Sequence, residues 1–365
     1  MSEKQPETTK SEADTTTPAA APAAPETDER GSSVPPQDNY DDDNADSLYG
    51  DDGASSTASL TASILNYRTV HGRTYHSSQG DAEYWYVFGN PPRRPGIHGR
   101  RRLLTFFSSH HVLTLLLDGE LCRAPISDNV QKVLDVGTGT GLWAIDFGDK
   151  YPTAEVIGTD LSPIQPGWVP PNVMFQIDDC TQEWTFEANS FDFVHMRWLF
   201  GSIKDWDELY AQAYRALKPG GWIESHEASV IFHSDDGSVN DKTAMGKFGQ
   251  FFIDGGKKMG RSMTIVEDGI QRKGIEAAGF VNIHEEDIKS PFGDWPKDPK
   301  MKEIGSFQRL ATSNDTAGSM HYMGNLLGWS PEEVIVYAAN LRREFRSPHI
   351  HAYYMQKIVW AQKPE

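Results

Sequence analysis

Cysteine is scarce in this sequence: among 365 residues only Cys122 and Cys180 occur, with no CxxC and no Cys/His ligand spacing. That argues against a disulfide framework and a structural zinc site. The pair His110-His111 lacks the carboxylate pattern that would complete a metal centre, so no metal is expected. Long apolar runs are missing too. No stretch approaches the roughly 18 residues of a membrane span, and the first residues lack the basic-then-apolar order of a secretory signal. An intracellular protein without a membrane span is expected. Cationic clusters are also rare, with 34 Lys and Arg against 52 Asp and Glu and a net charge of −18. Affinity for phosphate backbones comes mainly from clustered Lys and Arg, so direct nucleic-acid binding is not expected.

The acidity is local. The first 53 residues hold fourteen Asp and Glu against three Lys and Arg, a net of −11, and include the low-complexity run TTTPAAAPAAP at 15–25. Such a segment cannot bury enough apolar surface to offset the entropy of ordering it, and residues 1–57 are read as a disordered tail. An N-terminal helical segment over 58–128 follows, with a capped helix expected at 59–67. Within it the stretch 87–107 is basic and broken by Pro and Gly (PPRRPGIHGRRR at 91–102). The apolar run 113–117 before Asp118-Gly119 suits a helix ended by glycine.

From Lys132 onward strand-like and helix-like segments alternate, the pattern of a parallel sheet covered by helices. Strands are expected at 132–136, 155–159, 173–177, 191–196, 222–226, 281–288 and 351–361. Helices are expected at 142–150, 206–217 and 270–278, with one over 301–327 and another over 331–345. Pro219-Gly220-Gly221 reads as a stop between helix and strand, and residues 229–261 as mainly helical. The last strand, aromatic and alternating, suits insertion beside the sixth in a mixed sheet. An α/β domain over 129–365 is therefore expected.

The chemistry concentrates in Val133-Leu134-Asp135-Val136-Gly137-Thr138-Gly139-Thr140-Gly141. An apolar strand runs into glycines at alternate positions and then a helix, which lets backbone N–H groups approach a ligand. A dinucleotide loop wants G-x-G-x-x-G, whereas here the third glycine comes one residue early. Asp135 would also oppose a pyrophosphate, yet it suits S-adenosylmethionine, which carries an ammonium and a sulfonium. Asp160, closing the second strand beside Leu161, can accept from ribose hydroxyls or cap the following turn. Asp178 and Asp179 end the third strand, where a carboxylate can accept from an adenine amino group; Asp179 is favoured. Trp184 suits either adenine stacking or the core.

The runs VLDVGTGTGLWAIDFGDKYPTAEVIGTDLSPIQPGWVPPNVMFQIDD, FDFVHMRWLFGSIKDW and ALKPGGWIE make the chain resemble the LaeA-like fungal methyltransferases over about 59–363. DLSPIQPGWVPP and GSIKDW carry the resemblance to that group; the glycine loop alone reaches only the superfamily. The resemblance implies a class I, seven-stranded, Rossmann-like methyltransferase with a mixed sheet and antiparallel last strand, and S-adenosylmethionine as donor. It further implies roles in fungal secondary metabolism and development, in nucleus and cytoplasm, with velvet-type or zinc-finger regulators as partners. Family members carry an acidic helix where this chain has 87–107. That stretch is read as an insertion, with a retained intron as its origin, which would interrupt the lid over the donor. The same basic residues suit a nuclear localisation signal or a solvated loop.

Methyl transfer is an in-line displacement that needs alignment and exclusion of water, and a general base only where the acceptor starts protonated. Ligands of such sheets bind beyond the carboxyl ends of strands. Candidates there are His195 and Arg197, then Glu224, His226 and Glu227, each of which also suits a purely structural place. The acceptor, a protein or a small metabolite, is not legible; its specificity is assigned to 229–261 and to the helices after Met301. Their aromatics (Phe248, Phe251, Phe252, Phe307, Tyr322, Trp329) suit core or pocket. A tailoring enzyme and a largely non-catalytic regulatory subunit stand as alternatives to the regulatory methyltransferase.

Overall fold

A computed structural model describes residues 68–70, 73–75, 109–313 and 316–365. The tail 1–57, the helix expected at 59–67 and the basic stretch 87–107 lie outside the described residues. Strands β1 (Arg68–Val70) and β2 (Arg73–Tyr75) pair antiparallel, with Arg68 opposite Tyr75. This hairpin was not anticipated, although Gly72 between two triplets containing Val and Thr is a hairpin signal. Helix α1 covers 109–116. It ends as expected, with Asp118 and Gly119 left-handed at φ 60° and 90° and Gly119 N–H donating to Thr114 O at 2.8 Å.

The main sheet comprises β3 (Lys132–Val136), β4 (Glu155–Asp160), β5 (Val173–Ile177), β6 (Phe191–Arg197), β7 (Leu217–His233), β8 (Val281–Pro291) and β9 (Tyr353–Gln362). Their order is β5-β4-β3-β6-β7-β9-β8; the first five are parallel, and β9 runs antiparallel to both its neighbours. The mixed seven-stranded sheet predicted from the alternation is therefore present. Central β3 is buried from Val133 to Val136, as a strand covered on both faces must be. Helix α2 (Leu142–Lys150) packs Trp143 and Phe147 onto one face. On the other face lie α3 (Trp206–Ala216), started by Asp205 accepting from Glu208 N–H, and α5 (Ile270–Ala277).

A third apolar cluster joins the far end of β7 to α4 (Ala244–Met259), α7 (Thr316–Leu327) and α8 (Pro331–Phe345). α8 opens with the capping box of Ser330 and Glu333. The one helix expected over 301–327 is two, α6 (Pro299–Ser313) and α7. The larger difference is in β7. α3 ends at Ala216, just ahead of Pro219-Gly220-Gly221 as expected, but these residues lie in an irregularity inside the strand, between the pairs Phe191–Leu217 and Phe193–Trp222, instead of separating helix from strand. At its other end the strand continues to His233, through a second irregularity opposite β9. Cross-strand pairing with β9 makes this extension, and residues 229–233 are strand instead of helix.

Candidate active site

Beyond Val136 the chain reverses through Gly137-Thr138-Gly139-Thr140-Gly141 into α2. The three glycines have φ of 67°, 59° and 81°, a region that residues with a Cβ adopt at a cost. Thr138 ties the loop down, its N–H donating to Thr159 O at 2.8 Å and its hydroxyl to Asp135 Oδ2 at 2.6 Å. A Cβ on Gly137 would lie 2.5 Å from Leu199 Cδ2, and one on Gly141 2.3 Å from Phe175 Cζ. On Gly139 it would meet nothing within 4 Å. Packing therefore demands the outer glycines, while the middle one faces open space.

That space is a cavity of about 280 Å³. Asp135, Gly137, Thr138, Gly139, Asp160 and Leu161 all line it, whereas Gly141 turns towards Phe175. Asp160 Oδ2 accepts from Gly139 N–H at 2.8 Å and Oδ1 from Ser162 N–H at 3.0 Å; burial pushes its pKa up to about 6. Each oxygen keeps lone-pair capacity for a ribose hydroxyl. At the end of β5 it is Asp178 that lines the cavity. Asp179 Oδ1 instead accepts from the N–H and hydroxyl of Thr181, at 3.0 and 2.7 Å. Trp184 is a core residue, 4 % exposed, its indole donating to Cys180 O.

Of the candidates on β6 and β7, only Arg197 lines the cavity. Its guanidinium donates to His110 Nδ1 at 3.0 Å, and His110 Nε2 lies 2.8 Å from Asp146 Oδ2. Because Arg197 can only donate, this imidazole is neutral, with its proton on Nε2. Burial likewise draws its pKa below the usual histidine value. Burial lowers Arg197 to about 10, opposed by the charges of Asp135 and Glu224. Among the described residues Arg197 has no carboxylate ion pair.

The others are held away from the cavity. His195 Nδ1 is 2.7 Å from Asp135 Oδ1, and its ring stacks on Trp143 at 3.7 Å and 4°. Its pKa is lowered by burial, against the pull of Asp135. Glu224 Oε2 accepts from the N–H groups of Arg123 and Ala124, both at 2.7 Å; burial raises its pKa to about 7. His226 Nε2 lies 2.7 Å from Gln356 Oε1, and burial lowers its pKa to about 3. Glu227 accepts from Leu199 and Phe200 N–H, each at 3.0 Å, with its pKa pushed by burial to about 8. It thereby clamps the segment after β6, where Trp198 sits at a strained φ of 57° and lines the cavity.

These groups fit a sulfonium nucleoside. Carboxylates at Asp160 and Asp178 suit the ribose and the adenine amino group. Asp135 suits an ammonium, and Arg197 is a cation open to a carboxylate. The glycine Gly139 leaves room for the close approach. When bound, S-adenosylmethionine supplies an electrophilic methyl group; the chain's residues bind its ends, exclude water and present the acceptor in line.

The cavity continues past the donor groups along the β7 extension. Its far end is walled by Phe232, Phe248, Phe252, Phe292 and Tyr354, with Ser229, Gln308 and Thr312 as polar points. Of the six aromatics singled out in sequence, Phe248 and Phe252 reach it. Phe251 and Tyr322 belong to the third core cluster, Trp329 packs on Phe251, and Phe307 packs on His111. Trp198, Ser229 and Gln308 were missed. No local signal marks them, because they meet only when β6, β7 and α6 pack together.

Strand order, glycine loop and paired acids define a class I methyltransferase, and residues 108–252 match the family described as a methyltransferase domain. Methyltransferase pytC of Aspergillus terreus is 38 % identical over 86 % of this chain and 93 % of its own length. The secondary metabolism regulator LAE1 of Cochliobolus heterostrophus is 35 % identical over 70 % of this chain and 85 % of that protein. The probable methyltransferase tdiE of Emericella nidulans is 30 % identical over 70 % and 80 %. The chain belongs to the LaeA-like family of fungal S-adenosylmethionine-dependent methyltransferases.

Proposed function

We propose that the chain transfers a methyl group from S-adenosylmethionine to a small, largely apolar secondary metabolite. The observation that carries this reading is the aromatic far wall of the cavity, formed by Phe232, Phe248, Phe252, Phe292 and Tyr354. Small-molecule sites are concave and mostly apolar, with few polar points. A proton leaving a hydroxyl acceptor has a route through Ser229, whose Oγ donates to the exposed Glu267. The relative named methyltransferase pytC, at 38 % identity, supports methyl transfer over a non-catalytic role.

A second reading rests on the relatives named secondary metabolism regulators. Under it the chain acts in nucleus and cytoplasm, in complex with a velvet-type or zinc-finger regulator, and influences development by methylating protein or by serving as a non-catalytic subunit. The test is incubation with radiolabelled S-adenosylmethionine and an extract of the source cells, fractionated by size and solubility. Label in the organic-soluble small-molecule fraction supports the tailoring enzyme. Label confined to protein supports the regulatory methyltransferase, and no label at all the non-catalytic subunit.

A further inference from the structure

Among the described residues the guanidinium of Arg197 has one side-chain partner, its Nη2 donating to Nδ1 of His110 at 3.0 Å. Its remaining N–H groups have no partner among the described residues, and they are not among the side-chain atoms buried without one. They therefore keep accessible surface, on a residue that lines the cavity. The imidazole is tied in turn. His110 stands in the first turn of α1, 11 % of its side chain exposed, with Nε2 2.8 Å from Asp146 Oδ2 on α2. α1 is itself held, because its Val112, Leu113 and Leu116 are buried in one cluster with Ile304 of α6. Three elements thus meet in the chain Asp146–His110–Arg197, in which each hydrogen bond has one donor and one acceptor. The chemistry of the middle member matters. A carboxylate at position 110 would hold Arg197 as firmly but neutralise it, and a ligand carboxylate would then compete with an internal ion pair. A neutral imidazole orients the guanidinium and leaves its charge undivided. Asp146, whose side chain is half-exposed, fixes the imidazole tautomer from the far side, where water and salt screen its charge.

We propose that His110 is a positioning residue: as a neutral acceptor anchored by Asp146, it presets the Arg197 guanidinium to receive the carboxylate of S-adenosylmethionine. This inference deepens the reading of Arg197 as a cation open to the donor's carboxylate and rests on it. An arginine already ordered loses less freedom when the ligand arrives, so the gain appears as affinity. It falls only on ligands that carry the carboxylate.

The test measures by calorimetry the affinity of the full chain for S-adenosylhomocysteine and for 5′-methylthioadenosine, which lacks the carboxylate. His110→Leu removes the acceptor. It is expected to weaken S-adenosylhomocysteine about three- to tenfold, the effect of ordering one long side chain on binding. Affinity for 5′-methylthioadenosine should stay as it was, which also reports an intact fold. His110→Asn places an amide oxygen where Nδ1 stood and is expected to restore the lost affinity. Equal losses for the two ligands in His110→Leu, no loss for either, or no recovery in His110→Asn overturns the positioning role. Arg197→Met, measured beside them, separates the two ideas. If it weakens both ligands alike, Arg197 does not read the carboxylate and the inference falls with that reading. If it weakens S-adenosylhomocysteine alone while His110→Leu changes nothing, the reading stands and only the role of His110 is lost.

Discussion

Leu199 fills the space that a side chain on Gly137 would need, its Cδ2 standing 2.5 Å from the place of the missing Cβ. Phe175 does the same for Gly141, and nothing does so for Gly139. Gly137→Ala and Gly141→Ala should therefore each destabilise the protein by about 1–3 kcal/mol, from overpacking and left-handed backbone together. Gly139→Arg should cost only about 1 kcal/mol of backbone strain while abolishing donor binding. Thermal melts read the first effect and calorimetry with S-adenosylhomocysteine the second. Unchanged affinity in Gly139→Arg would remove the donor from this loop.

Arg197 faces the donor end of the cavity, and among the described residues its guanidinium has the neutral imidazole of His110 as its side-chain partner. Arg197→Met should weaken S-adenosylhomocysteine binding by about tenfold or more, the worth of a charged hydrogen bond. Binding of 5′-methylthioadenosine, which has no carboxylate, should not change. Equal losses for the two ligands would mean that Arg197 does not read the carboxylate.

Stability should fall as pH rises from about 6.5 to 8. Burial raises Glu224 to about 7 and Glu227 to about 8, above the ordinary 4.5. In that window the folded protein holds protons that the unfolded chain has released, so rising pH favours unfolding. His226, lowered to about 3 from 6.5, acts in the opposite sense and only between those values. Glu227→Gln should flatten the decline in melting temperature between pH 6.5 and 8. A slope unchanged by the substitution would contradict the raised pKa of Glu227.

His195 lies at the end of β6 yet serves the fold. His195→Phe should keep the stack on Trp143 but strand the Asp135 oxygen that His195 now contacts at 2.7 Å, at a cost of about 1–3 kcal/mol. The pH profile of methyl transfer should keep its shape. A lost limb in that profile would make His195 a proton carrier.

The donor half of the site was legible because it is contiguous in the chain. Asp135 through Gly139 lie within one strand and one turn, and Asp160 ends the next strand at the matching level of the sheet. Spacing alone places such groups together. The choice between Asp178 and Asp179 was not legible, since a neighbouring hydroxyl, Thr181, captures one of two adjacent carboxylates. Equally hidden was the β7 extension, whose pairing depends on β9, more than a hundred residues away.

The amino-acid order by itself determined the parallel α/β domain, the glycine turn and the acids that suit a sulfonium nucleoside. Local backbone conformation and strand periodicity suffice for these. Tertiary structure alone decided that Arg197 opens to the cavity while His195, Glu224 and His226 are sealed behind it, and that Gln308 is among the residues lining it. Residues on β6, β7 and α6 become neighbours only when the sheet closes and the helices dock, and packing, not spacing, assigns each side chain to core or cavity.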